Sequence, residues 1–338
     1  MKVAVIGAGA VGGPIAAHLV EHTVDTILVT KHPDLAELVK TRGICIRGVE
    51  KTREIVINAV PKIEDLNNQF DIVFLAMKAN DVEEAAKKVL PFLKEDSVVV
   101  TLQNGIVEDD IGKIIGRSRV IGAVVGWGST MIEPGLVEKS SHGDFIVGSL
   151  DETGNQKHLE QVAELLGYCE PVKITDNIYG ALYSKLTVNA CITGLGAVCG
   201  LYLGEMLANG RTRRLFMGIA TEAVEVGQKL EIQFEKIGGL NISSLALKGS
   251  DSRLNTLKKH IIIRVVGFRF RRLKSSSLQS LERGRPSEID YLNGYIAKKG
   301  QEVGINTPIN RTIVQLVKEI ERGEREIVPT NLDEIPLP

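Results

Sequence analysis

Lys185 and Asn189 stand four residues apart in a mostly apolar run from Leu182 to Ile192. On a helix that spacing projects both side chains from one face toward one place. A lysine in such a run either stretches its ammonium out to water or is held there for a purpose. Partly desolvated, with its pKa lowered, it can give a proton to the oxygen of a carbonyl that is receiving hydride, while its charge stabilises the developing alkoxide. Lys78 follows the strand candidate 71–76, and Asn104-Gly105 follows the one from Ser97 to Leu102. Both thus fall at carboxyl ends of strands, where the chemistry of an open α/β sheet collects. Taken alone, Lys78 reads equally well as a surface cation and Asn104-Gly105 as a turn dipeptide. Glu288, within Pro286 to Gly294, is expected in the first turn of another helix, where its plain role is to complement the helix dipole.

Proton donation to a carbonyl calls for a hydride donor, and the first residues read as a site for one. Residues 3–13 run as β-branched strand and then break into glycines at 7, 9 and 12 before the helical stretch from Pro14 to Val20. Gly7 allows a tight turn off the strand, Gly9 lets backbone amides reach a pyrophosphate, and Gly12 lets the helix pack closely on the sheet. The turn Gly7, Gly9, Ala10, Val11 and Gly12 is therefore expected to hold a dinucleotide on the amide-rich start of a helix in a Rossmann-type domain. The second strand, Thr26 to Thr30, ends in Lys31-His32 where an enzyme selective for NAD places an acid. Lys31, helped by His32 or Arg42, can pair a 2′-phosphate, which favours NADP(H). Asp34 keeps NAD open, and Lys31 also reads as an ordinary strand-end cation.

These residues need a scaffold, and the patterning supplies two domains. Strand candidates recur at 55–60, 71–76, 97–101, 119–125 and 144–148, with helical stretches from Asn80 to Leu93 and from Ile106 to Ile115. That alternation predicts a parallel, doubly wound sheet. Beyond residue 155 the pattern turns to helical periodicity at 155–167, 177–199, 205–230 and 278–303. The expected fold is an α/β Rossmann-type N-terminal domain, residues 1–175, followed by a mainly α-helical substrate and catalytic domain, residues 176–330, with Asp176 as a helix cap. A site formed by two such domains is expected to gather Gly9, Lys78, Asn104, Lys185 and Glu288. Residues 254–274 interleave seven Lys and Arg with Ile261-Ile262-Ile263 and Val265-Val266, which reads most simply as an amphipathic segment with solvated cations.

Composition excludes other classes. The 338 residues carry a formal net charge of −1, so no overall field favours nucleic acid or an anionic membrane. No run is long and apolar enough to span a bilayer, and no secretion signal opens the chain, so the expected compartment is the cytoplasm. The four cysteines, at 45, 169, 191 and 199, have no metal-site or disulfide-framework spacing; no metal is expected. The expected partner is a small-molecule substrate, and the chain is read as monomer or homodimer.

Taken together, Gly7 to Gly13, Met77-Lys78-Ala79, Leu102-Gln103-Asn104-Gly105, Lys185 to Asn189, Ser275 to Gln279 and Arg283 to Gly294 resemble the ketopantoate reductase (2-dehydropantoate 2-reductase) family over nearly the whole chain. The resemblance implies NADPH-dependent reduction of 2-dehydropantoate to (R)-pantoate, a step toward pantothenate and coenzyme A. It implies Lys185 as general acid, Asn104 between cofactor and substrate, and Lys78 on the cofactor side. Asn189 and Ser276 are implied as substrate contacts, and Glu288 as an acid holding the substrate hydroxyl and supporting Lys185, close enough to count with the cofactor site. Two departures touch the substrate side: Thr193-Gly194 where the family often has Asn-Pro, and Ser276-Ser277-Leu278-Gln279-Ser280 where it usually has Ser-Met-Leu-Gln-Asp. They leave room for a related 2-oxo acid, or for an opine-type condensation of an amine with a 2-oxo acid. A nucleotide sensor without turnover fits less well, because a sensor has no use for a proton donor.

Overall fold

The computed structural model describes residues 1–151 and 156–338. The described chain divides into two compact units, Met1–Gln103 with Val107–Ile178, and Asn104–Ile106 with Tyr179–Pro338. The three residues Asn104–Ile106, which the sequence assigns to the first domain, thus group with the second unit.

In the first unit β1 (Lys2–Ile6), α1 (Gly12–Glu21), β2 (Asp25–Val29) and α2 (Pro33–Thr41) form the opening βαβα unit. They are followed by β3 (Ile44–Gly48), β4 (Arg53–Ile55), β5 (Asn58–Val60), β6 (Phe70–Leu75), α3 (Val82–Val89), β7 (Leu93–Thr101) and α4 (Glu108–Ile115). Then come β8 (Val120–Val125), β9 (Gly128–Glu133), β10 (Leu136–Ser141), β11 (Phe145–Ser149), α5 (Gln156–Gly167) and β12 (Val172–Ile174). The main sheet has the order β12-β11-β8-β7-β6-β1-β2-β5. All neighbours in it are parallel except β11 against β8. Val3, Ala4 and Val5 of the central β1 are wholly buried, as a parallel strand covered on both faces must be. The strand order reverses between β1 and β6, so the turns after these strands flank the switch-point crevice.

Several expectations need correction here. The single strand predicted at 55–60 is two strands in different sheets, because Ile55 pairs with Ile44 whereas Asn58 to Val60 pair with Ile27 to Val29. Periodicity has no view of which partner each half meets. The second sheet, β4-β3-β10-β9, was not expected at all. Its Ile44, Ile46 and Val137 join Ile15 and Leu19 of α1 in one buried cluster, so α1 is covered on both sides. The helix expected over 80–93 shrinks to α3 with short 3-10 turns at each end, Pro91 standing at the start of the last, and Leu93 already pairs with Phe70 as strand. The helix expected from Ile106 starts at Glu108.

The second unit is helical: α6 (Ile178–Asn189), a π-turn over Ala190–Gly194, α7 (Leu195–Cys199), α8 (Leu203–Ala208), α9 (Gly210–Lys229), α10 (Arg253–Arg269), α11 (Ser276–Glu282), α12 (Asn293–Val303) and α13 (Pro308–Glu321). The helix expected over 177–199 starts at Ile178 and runs to Cys199, interrupted only by the π-turn, a feature that often marks a functional position. The Asn293 side-chain amide donates to the Ala190 carbonyl at 3.3 Å and to Asn310 at 2.9 Å. A Cβ on Gly194 would lie 2.4 Å from Asn293 Oδ1, which accounts for glycine at that point. The helix expected over 205–230 is divided at Asn209, whose side chain caps α9 by accepting from the Arg211 and Thr212 amides. The helix expected over 278–303 breaks between Glu282 and Asn293, with Gly284 at φ +64 and Pro286 in the gap. Of the helix expected at 155–167, residue 155 lies outside the described residues and the rest is α5. No helix among the described residues is long and apolar enough to cross a membrane.

Candidate active site

The glycine turn has the geometry its spacing demands. Gly7 sits at φ +112, and a Cβ there would lie 2.8 Å from the Met77 amide nitrogen. A Cβ on Gly12 would lie 2.0 Å from the Gly7 carbonyl oxygen, whereas one on Gly9 would meet nothing within 4 Å. The space beside Gly9 is thus open to a bulky anion while Gly7 and Gly12 are locked by packing, the arrangement that fits a dinucleotide pyrophosphate. Lys78 is half-buried and precedes the 3-10 turn Ala79–Asp81 after β6.

Sequence reasoning passed over Gln103. Its buried amide donates to the carbonyls of Leu75 at 2.9 Å and Met77 at 3.0 Å, and its oxygen accepts from the Leu102 amide at 3.1 Å. One side chain therefore pins the turn that carries Lys78 to the end of β7. Beside it Glu108, also unforeseen, is 1% exposed and accepts from the Thr101 hydroxyl at 2.8 Å and the Val107 amide at 2.9 Å. Burial pushes its pKa up to about 7 despite those bonds.

A pocket of about 370 Å³ lies at the carboxyl ends of β1 and β2, lined among others by Gly7, Val29, Lys31, Lys62 and Asp81. Lys31 adopts φ +76, unusual for a residue with a side chain, and its ammonium is 2.9 Å from Asp81. The acid at this corner is therefore Asp81 and not Asp34, which stands in the first turn of α2. Arg42 caps the far end of α2, whereas His32 caps its start, so of the two helpers named for Lys31 only His32 adjoins it. Lys62, just past β5, lines the same pocket as Lys31, which Arg42 does not. The strand pairing of β5 with β2 brings it there, and sequence periodicity carries no trace of that pairing.

In the second unit α6 presents Lys185 and Asn189 one turn apart. Lys185 is half-buried, and burial lowers its pKa from the ordinary lysine value. Asn189 donates its side-chain amide to Asn104 Oδ1 at 3.0 Å. Gly105 follows at φ +99, where a Cβ would lie 2.5 Å from the Tyr291 carbonyl oxygen. The Asn104-Gly105 turn is thus seated against α6 and the segment after Glu288.

Ser276 is exposed at the first position of α11, with Ser275 as the cap accepting from the Leu278 amide at 3.2 Å. A Cβ on Gly196 would lie 2.9 Å from Ser275, so this serine-rich turn packs on α7. Glu288 departs from expectation: it caps the short 3-10 turn Ile289–Tyr291, and the α-helix begins only at Asn293. Helix-dipole complementation does not explain it. Ser287, next to it, is tied to Glu321, through its amide at 2.8 Å and its hydroxyl at 2.7 Å.

Known proteins resemble this chain over both units. The family described as Ketopantoate reductase PanE/ApbA matches residues 3–152, and its C-terminal counterpart matches residues 177–321. A 2-dehydropantoate 2-reductase of Archaeoglobus fulgidus is 29% identical over 323 residues, covering 95% of this chain and 98% of its own. One from Pyrococcus horikoshii is 27% identical over 323 residues, covering 95% and 98%. The crystal structure of a PanE/ApbA family ketopantoate reductase from Ralstonia eutropha JMP134 superposes with a TM-score of 0.81 at 26% identity, covering 96% of this chain and 100% of that one. A D-mandelate dehydrogenase, solved with NADH and anilino(oxo)acetate, shares the fold with a TM-score of 0.82 at 22% identity, covering 96% and 99%. With a dinucleotide turn in one unit, a half-buried lysine on a helix of the other, and matches over both, the chain belongs to the ketopantoate reductase family of NADP-dependent oxidoreductases acting on CH–OH groups.

Proposed function

We propose that the protein reduces 2-dehydropantoate to (R)-pantoate with NADPH, on the way to pantothenate and coenzyme A in the cytoplasm. The observation that carries this reading is the Asn189–Asn104 hydrogen bond one helical turn from a lysine whose pKa burial lowers. NADPH, when bound, supplies the hydride. The amides around Gly9 and Val11 would hold its pyrophosphate, Lys31 and Lys62 its 2′-phosphate, and Lys78 would lie on the cofactor side.

Lys185 gives its proton to the C2 oxygen of the 2-oxo acid. Its ammonium is easier to deprotonate than an exposed one, yet still offers positive charge where negative charge develops. Asn104 and Asn189 orient the substrate, each leaving hydrogen-bonding capacity beyond their mutual bond. Ser276, exposed on the first turn of α11, meets the substrate carboxylate, and Glu288 accepts from its hydroxyl.

A second reading is a related 2-oxo acid as substrate. It is favoured by Gly194, which the Asn293 side chain requires and which removes the family's Asn-Pro from this helix. NADPH oxidation by the purified protein, compared for 2-dehydropantoate, 2-oxoisovalerate and pyruvate plus an amine, separates these readings. A kcat/KM highest for 2-dehydropantoate supports the first; no turnover with any of them overturns both.

A further inference from the structure

The basic segment does not behave as an ordinary amphipathic helix. Its buried side is narrow: Ile263, Gly267 and Lys259 face inward, and a Cβ on Gly267 would touch Leu207 of α8 at 2.7 Å. Lys259 is tied there to Asp251 at 2.6 Å. On the outer side Leu254, Leu257, Ile261, Val265 and Phe268, spaced three or four residues apart, form one exposed row, with Phe268 70% and Leu254 60% accessible. At 100° per residue, Arg253 and Arg264 flank this row on one side and Lys258 and Arg269 on the other. The turn beyond adds exposed Phe270, Leu273, Arg271 and Arg272.

The charge is as one-sided as the apolarity. From Ser252 to Leu281 there is no Asp or Glu. Two of the segment's cations are neutralised, Lys259 by Asp251 and Lys274 by Glu282. Arg253, Lys258, Arg264, Arg269, Arg271 and Arg272 form no ion pair among the described residues. Arg264, Arg271 and Arg272 together line a cavity of about 770 Å³ beside Phe268. Its one acid, Glu205, is engaged by the Tyr202 amide at 3.2 Å.

We propose that α10 and the turn after it dock on an anionic lipid surface, with the apolar row entering the acyl boundary and the flanking cations meeting headgroup phosphates. An apolar stripe bordered by cations on both sides is the pattern of a helix lying in a membrane interface. A row of this kind is a ridge, not a groove, and suits a deformable surface. A second copy of the chain would set the row against itself but bring the unpaired cations of both copies together. A nucleic acid would place its phosphates against the aliphatic centre of the patch. The net charge of −1 conceals all this, because the compensating acids lie elsewhere.

The test is co-sedimentation of the full chain with vesicles of phosphatidylcholine and phosphatidylglycerol in equal amounts, against pure phosphatidylcholine. Binding to the mixed vesicles alone, weakened by salt, is expected. Ile261→Glu with Phe268→Glu, and separately Arg271→Glu with Arg272→Glu, should each lower the bound fraction about tenfold or more, with NADPH oxidation in solution unchanged. Absence of sedimentation, or equal binding to both vesicles, overturns the proposal. So does displacement by millimolar inorganic phosphate with the apolar variants still bound, which would make the arginine cavity a site for free phosphate. A dimer seen by light scattering, lost in Ile261→Glu and indifferent to vesicles, would also overturn it and make the row an interface between copies.

Discussion

Asn189 donates a hydrogen bond to Asn104 at 3.0 Å across 85 residues of sequence, joining the end of a long helix to a three-residue turn. Each amide restrains the rotamer of the other, and in the proposed site both would be positioned before substrate arrives. Asn189→Ala is expected to raise KM for the 2-oxo acid and lower kcat, the loss in kcat/KM being about tenfold or more for one lost contact plus one loosened partner. Steady-state kinetics would show it, and unchanged kcat/KM would remove Asn189 from the site.

Lys185→Ala is expected to lower kcat by about a hundredfold or more, the usual worth of general acid catalysis, with NADPH affinity little altered. Because burial lowers its pKa, the protonated form that the proposed proton transfer needs is lost below the ordinary lysine range as pH rises. The kcat profile should therefore fall on its alkaline side in the native enzyme, and that limb should vanish in the residual activity of Lys185→Ala. Near-native kcat with saturating substrates would mean that the proton comes from another group.

NADPH should be preferred over NADH by about tenfold or more, the value of one charge-assisted contact to the 2′-phosphate. Lys31→Ala should remove most of this preference. Asp81→Asn should increase it, since the carboxylate 2.9 Å from the Lys31 ammonium competes with the phosphate for the same cation. Ratios of kcat/KM for the two cofactors in the three proteins decide the matter.

Glu108 links stability to pH. Its pKa is raised in the folded state from 4.5 to about 7, so the fold binds its proton more tightly than the unfolded chain does. The contribution is fully present below the unfolded value and is lost as pH rises through the folded one. From this group alone, stability should fall by on the order of 2–3 kcal/mol between about pH 4.5 and pH 7 and above. Glu108→Gln should flatten that slope in denaturant titrations taken across the range. An unchanged slope would mean that the carboxyl stays ionised inside.

Gly12→Ala should destabilise the first unit severely. Its Cβ would fall 2.0 Å from the Gly7 carbonyl oxygen, a backbone atom that cannot swing away. Gly9→Ala, with open space around it, should fold normally and lose cofactor affinity instead. Thermal melts with and without NADPH distinguish the two, and equal melting temperatures for Gly12→Ala and native protein would refute the packing account.

The sequence by itself determined what depends on local spacing. Gly7, Gly9 and Gly12 follow a buried strand and open a helix, and Lys185 and Asn189 share a helix face, because backbone conformation and the helical repeat act within a few residues. The resemblance to a family was legible for the same reason, since its motifs are short and ordered. The tertiary structure alone decided what depends on partners distant in the chain. Residues 55–60 split because each half pairs with a different strand, and the second sheet exists because β3 meets β10 across some ninety residues. Asp81 beside Lys31, Gln103 across two turns, and Asn293 against Gly194 are neighbours by packing. The outward row on α10 belongs with them, because periodicity gives the faces of a helix but not which face the rest of the protein leaves uncovered.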